Sequence, residues 1–207
     1  MVREKLGVSD FPFWGKRQYV QSSHLLGTFL ELWTVSGRPP LERIVADFKE
    51  QLRSNADFVI TKNAQENTGA VRVRWYTKEG SGTVGVLPNG DPVRRRLSDD
   101  EADLVASTEL KLKERFGSIR RPNKARLITS MVALVKKIHK ATLTTKGYGQ
   151  WFVTRVDLNV SAMKAAAEGP MSANIVREVG GRMTRSTIML GDEKIASVDF
   201  YREPSDV

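Results

Sequence analysis

Ser22-Ser-His-Leu-Leu-Gly-Thr-Phe-Leu-Glu-Leu-Trp33 sets Leu26, Phe29, Leu30 and Trp33 at the i, i+3, i+4, i+7 spacing of a buried helical stripe. Ser22 or Ser23 can cap its start, and Gly37 with Pro39-Pro40 ends the pattern, so a helix is predicted over residues 23–35. Upstream, residues 10–21 read as an aromatic-rich entry loop leading into a short extended piece. Downstream, residues 41–52, 56–62, 70–78 and 83–87 are rich in Val, Ile, Phe, Trp and Tyr and punctuated by Gly, Asn and Pro. They are predicted as successive antiparallel strands. Leu41 to Leu52 also fits a helical period.

The pattern then recurs. Ser98-Asp-Asp-Glu101 has the form of a capping box, Lys111, Lys113 and Arg115 fall where a last turn would be, and Gly117 stands at a C-cap position. These features predict a helix over 99–115 and a linker from Gly117 to Asn123. Leu127, Ile128, Met131, Leu134, Val135 and Ile138 form another apolar stripe, predicting a helix over 124–141. Strands are predicted at 149–160, 175–179, 183–190 and 194–201, with Gly191-Asp192 as a hairpin turn. The organisation is therefore an N-terminal half at 1–97, a capped helix and linker at 98–123, and a C-terminal half at 124–207. A shift of 112 residues sets Leu41-Glu-Arg43-Ile against Val153-Thr-Arg155-Val, Val71 to Tyr76 against Met183 to Ile188, and Thr83 to Val86 against Ile195 to Val198. The predicted class is α+β, with two helix-plus-antiparallel-sheet halves.

One helix followed by a curled antiparallel sheet, present twice over residues 17–202, resembles the hotdog fold of acyl-thioester thioesterases and dehydratases in its fused double form. The resemblance implies a helix wrapped by sheet, pairing of two such units, and a pantetheine arm entering between them. It implies a protein that binds acyl thioesters of coenzyme A or an acyl carrier, thioesterase-like or dehydratase-like. No cofactor is implied beyond the coenzyme A moiety of the substrate, and further copies of the chain are expected partners. Ser22 to Glu31 is similar to the family's polar strand end leading into a helix that carries an acid. The Pro-Gly signature of the dehydratases is absent, which speaks against dehydration and leaves catalysis open.

Charge supports two other functions. The formal net charge is +9, of which residues 104–207 hold +8. Between Lys111 and Lys146 there are eleven Lys or Arg and one acid, Glu114. Such a field draws phosphate, whether on coenzyme A or on nucleic acid. The alternative functions are therefore a non-catalytic nucleic-acid-binding protein and an assembly or scaffold subunit facing an acidic protein. Only Phe116 interrupts the basic stretch with an aromatic ring, which disfavours single-strand stacking.

His24 and Glu31 are the candidate catalytic residues. Seven positions apart, they share one helix face about 10 Å from each other. Glu31 would act as base towards water and His24 as acid or orienting donor. The plain alternatives are a first-turn histidine and an exposed glutamate. Arg94, Arg95, Arg96, Arg120, Arg121, Lys124 and Arg126 are the candidate phosphate ligands, with local pairing of Arg94 to Arg96 to the acids at 98–103 as the competing reading. Asp47, Asp57, Asp157 and Asp199 are assigned to structural ion pairs, with Arg43, Arg155 and Arg185 as partners. His139, beside Lys136, Lys137 and Lys140, is expected to be exposed or in contact with phosphate.

Much else is excluded. With no Cys and two His 115 positions apart, no metal site, disulfide framework or thiol nucleophile is available. Gly80-Ser-Gly82-Thr-Val-Gly85 matches G-x-G-x-x-G but leads into Pro88-Asn-Gly-Asp-Pro92 rather than a helix, so it reads as a hairpin. Walker A, G-x-S-x-G and H-E-x-x-H sequences are missing. The N-terminus has no apolar signal core and the longest apolar run is Met131 to Val135, so a cytoplasmic protein without a membrane span is expected.

Overall fold

In the computed structural model, residues 4–61, 69–98, 100–143, 148–165 and 169–204 are described. Lys62, Asp99, Lys146 and the polar tail from Ser205 onward lie outside them. The chain divides into two compact units, Met1–Asp99 and Asp100–Val207. No helix among the described residues is long and apolar enough to cross a membrane.

The first unit contains β1 (Glu4–Ser9), β2 (Pro12–Trp14), α1 (Ser22–Val35), β3 (Arg43–Phe48), β4 (Ser54–Thr61), β5 (Val71–Thr77), β6 (Gly80–Pro92) and β7 (Arg95–Leu97). Its main sheet runs β1-β4-β6-β5-β3, antiparallel throughout. Of Leu41 to Leu52, Arg43–Phe48 forms a strand and no helix forms. α1 lies on this sheet through Leu25, Leu26, Phe29 and Trp33, all buried. Phe29 meets Phe58 of β4 with ring centroids 6.4 Å apart, and Trp33 meets Trp75 of β5 at 4.8 Å. Each such side chain contributes about 1.5–3 kcal/mol of burial. The glycine motif belongs to the β5–β6 hairpin, where Thr77 pairs with Gly80. A Cβ on Gly82 would stand 2.6 Å from the Trp75 indole, so this glycine seats an aromatic ring rather than a phosphate.

The second unit contains α2 (Glu101–Leu104), β8 (Glu109–Lys111), β9 (Phe116–Ile119), a 3-10 turn (Lys124–Arg126), α3 (Leu127–Thr142), β10 (Tyr148–Asn159), α4 (Val160–Ala165), β11 (Met171–Val179), β12 (Met183–Leu190) and β13 (Glu193–Pro204). Its strand order is β10-β13-β12-β11-β9-β8, again antiparallel. α3 buries Met131, Leu134, Val135 and Ile138.

The predicted helix over 99–115 is wrong: only α2 forms, followed by the β8–β9 hairpin. The side chain of Asp100 does not cap α2; it pairs with Arg126, and Glu101 pairs with Lys136 on α3 at 3.1 Å. Arg115 adopts φ 51° in the hairpin turn and its guanidinium lies 2.5 Å from Glu178. The predicted linker is also mistaken. Gly117 is no C-cap but part of β9 beneath α3, where a Cβ would come within 3.1 Å of both Ile138 and Leu110.

The 112-residue shift does align β5 with β12 and β6 with β13, yet the two hairpins enter their sheets in opposite senses. In the first unit β5 pairs with β3 and β6 with β4; in the second, β13 pairs with β10 and β12 with β11. Connection length is the cause. Three residues join β11 to β12 and impose an antiparallel neighbour, with Gly180 and Gly181 at positive φ. Nine residues join β4 to β5, leaving those strands parallel with β6 between them. Gly69, at φ 73° and with its Cβ position only 2.6 Å from the Val86 carbonyl oxygen, marks the end of that longer connection.

Candidate functional site

α1 begins without a cap. Gln21, not Ser22 or Ser23, occupies the N-cap position, in extended backbone, and its side chain makes no capping bond. The first intrahelical hydrogen bond runs from Leu25 N–H to the Gln21 carbonyl at 3.0 Å, so the amides of Ser22, Ser23 and His24 have no acceptor within the helix. The Gln21 amide is 4% exposed, and neither its oxygen nor its nitrogen finds a hydrogen-bond partner among the described residues. A buried amide left so costs free energy unless something accepts and donates there.

Three residues on, the His24 ring is half-buried between Phe11 and Trp14, each with its ring centroid 6.1 Å away. Both aromatics come from the entry loop, and both are buried. That loop is a strap held at several points. β2 pairs in parallel with β7, and the Gly15 amide donates to the Leu97 carbonyl at 2.9 Å. Asn55 accepts from the Phe11 amide at 2.7 Å and donates to the Pro92 carbonyl at 3.1 Å. Arg95 pairs with Asp10 at 3.1 Å, while Arg96 donates to the Gly15 and Arg17 carbonyls and stacks over Phe13 at 5.4 Å. A first helical turn whose N–H groups have no acceptor within the helix, a buried amide and an imidazole under an apolar cover can polarise a carbonyl and move a proton beside it.

Glu31 stands on the exposed side of α1 two turns, about 10 Å, further on. The candidate phosphate ligands are mostly spoken for. Arg95 and Arg96 fasten the strap, Arg120 pairs with Glu109 at 3.0 Å, and Arg126 pairs with Asp100, whose carboxyl that guanidinium holds below its usual range. Arg94 and Arg121 are exposed, and Lys124 opens the 3-10 turn. Arg94 to Arg96 belong to the first unit and the other four to the second. Acids from outside the basic stretch offset it, since Glu178 and Glu101 engage Arg115 and Lys136 as well.

His139 corrects a further expectation, because it is fully buried. Its ring stacks on Trp151 at 4.4 Å, meets Phe200 edge-on at 4.9 Å, and Nε2 lies 2.8 Å from the Thr184 hydroxyl. Burial first, and the Arg202 charge second, lower its pKa from 6.5 to about 3. Asp47 pairs with Arg72 and Arg74 at 2.9 and 3.2 Å, and Asp57 with Lys5 at 2.8 Å. Gln21 and Asn55 escaped the sequence reading. A glutamine ahead of two serines carries no signal of burial, and only the strap's fold shows what it covers.

No family model and no curated protein matches the chain by sequence. Solved structures superpose on it. The tesB protein of Mycobacterium avium subspecies paratuberculosis superposes with a TM-score of 0.52 at 11% identity, covering 99% of this chain and 96% of that one. A candidate thioesterase II from Thermobifida fusca gives 0.50 at 10% identity, covering 92% and 88%. A hot dog fold protein from Alicyclobacillus acidocaldarius gives 0.47 at 8%, covering 92% and 89%. The chain has a hotdog fold. Both hotdog units are sheet-dominated, each with one long helix on an antiparallel sheet, and α1 is the helix of the first.

Proposed function

We propose that this hotdog protein binds an acyl thioester with the thioester carbonyl at the N-terminal turn of α1, and hydrolyses it. The observation that carries the reading is the uncapped turn itself, with the unsatisfied Gln21 amide and half-buried His24 beneath Phe11 and Trp14. The names of the two structural neighbours at a TM-score of 0.50 or above point the same way. Backbone N–H groups of the first turn donate to the carbonyl oxygen as negative charge develops on it. His24 takes a proton from the attacking water; the new C–O bond forms, the C–S bond breaks, and the proton passes to the leaving thiolate. Glu31, at about 10 Å along the helix, is out of reach of that water.

Hydrolysis of octanoyl- and palmitoyl-coenzyme A, followed by release of free thiol, tests this. His24→Ala is expected to lower kcat by about 100-fold or more, the scale of a lost general base, without shifting the unfolding midpoint. Glu31→Gln is expected to stay within about twofold, since no hydrogen bond to the reacting atoms is lost. Unchanged turnover in His24→Ala, or no binding of either thioester by the wild type, overturns the proposal.

A further inference from the structure

The outer face of the second sheet holds a groove of about 340 Å³ lined by Arg155, Asp157, Val176, Arg185, Thr187, Lys194, Ser197 and Asp199. Strand register builds it. Arg155 pairs with Asp199 and Asp199 with Arg185; two residues on, Asp157 pairs with Ser197 and Ser197 with Thr187. Their chain neighbours Val156, Val198, Ser186 and Ile188 are buried, so by strand alternation the lining residues point to the other face.

Within the groove, Arg185 is preset. Its Nε and Nη2 each donate to a different oxygen of Asp199 at 2.7 Å, which fixes the guanidinium plane and leaves three N–H groups over. The Arg185 side chain is half exposed, so those donors are open to solvent. The Lys194 ammonium and the hydroxyls of Thr187 and Ser197 make no hydrogen bond or ion pair among the described residues. Of the charged groups lining it, Asp199 is committed to Arg185, and Arg155 and Asp157 each have partners as well. Val176 is the single apolar contributor, which makes the groove unfit for an acyl chain.

We propose that this groove binds a phosphate monoester group. Its oxygens would accept from the free side of the Arg185 fork, from Lys194, and from the Thr187 and Ser197 hydroxyls. A planar carboxylate offers two oxygens to this many donors, whereas a phosphate monoester offers three around a tetrahedron and carries up to two negative charges near neutral pH. The site lies in the second unit and does not depend on the thioester reading.

Titration calorimetry of the full chain at low salt, with inorganic phosphate and adenosine 5′-monophosphate as probes, tests it. Saturable binding of at least one probe is expected, weakened about tenfold or more in Lys194→Ala, the scale of one lost hydrogen bond to a charged group. A Thr187→Ala/Ser197→Ala double variant should weaken it as well, and thermal unfolding of each variant should match the wild type. Tighter binding of the nucleotide assigns the group to a phosphorylated ligand, and equal affinity assigns it to free phosphate. Absence of saturable heat for both probes, or affinity unchanged in Lys194→Ala, overturns the proposal.

Discussion

Burial and the Arg202 guanidinium keep the His139 imidazole neutral to a pKa of about 3, against 6.5 for the free group. The unfolded chain therefore takes up a proton at pH values where the folded chain does not. The stability this histidine contributes is full above pH 6.5, falls as pH drops below it, and is exhausted near pH 3. Between pH 7 and pH 5 the loss is about 2 kcal/mol. Urea unfolding at the two pH values should show that difference in the wild type and a smaller one in His139→Phe. An identical pH dependence in both proteins would remove His139 as its source. From sequence the residue read as exposed because three lysines surround it, yet those lysines and His139 leave the helix in different directions. The apolar stripe through Leu134, Val135 and Ile138 was legible, whereas the imidazole's partners, Thr184, Trp151 and Phe200, come from strands far along the chain. Local spacing cannot name them.

At the scale of elements, α1, α3 and most strands follow from periodicity within a few residues. Residues 99–119 do not. The capping-box pattern there is genuine as a pattern, but Asp100 and Glu101 spend their carboxylates on Arg126 and Lys136 of the following turn and helix. Leu110 and Leu112, with Lys between and after them, alternate as a strand does, a signal outweighed by the cap. Gly117 records the correct assignment. β9 passes beneath α3 where a side chain would press on Ile138 and Leu110. Gly117→Val should destabilise the protein by about 1–3 kcal/mol, as overpacking does, with Gly117→Ala milder. Chemical denaturation measures both, and a neutral valine would mean that β9 is free to move away from the helix.

For the molecule as a whole, the formal charge of +9 overstates the field available to a polyanion. Asp100, Glu101, Glu109 and Glu178 each pair with a cation of the basic stretch, four acids that lie outside it in sequence. Duplex DNA of 20 base pairs is therefore expected to bind weakly at physiological salt, with a dissociation constant of about 100 µM or more, the weak end of non-specific association. Fluorescence anisotropy across a salt series checks this. Micromolar affinity with a steep salt slope would restore a nucleic-acid function. The doubled helix-and-sheet order was legible because helical stripes and hairpin turns are local. Placement of each hairpin in its sheet was not, since it depends on connections that a fixed sequence shift ignores.

The opposite seating of those hairpins has a consequence for how the chain acquires its structure. β11, β12 and β13 form a meander, so each can zip onto its predecessor at low loop-closure cost. In the first unit β4 has only β1 beside it until β6 has been made, and β6 must slot between two strands that precede it. The C-terminal half thus has a downhill assembly route from local contacts, while the N-terminal half, synthesised first, holds the inner edge of β4 open until the chain has been extended through Pro92.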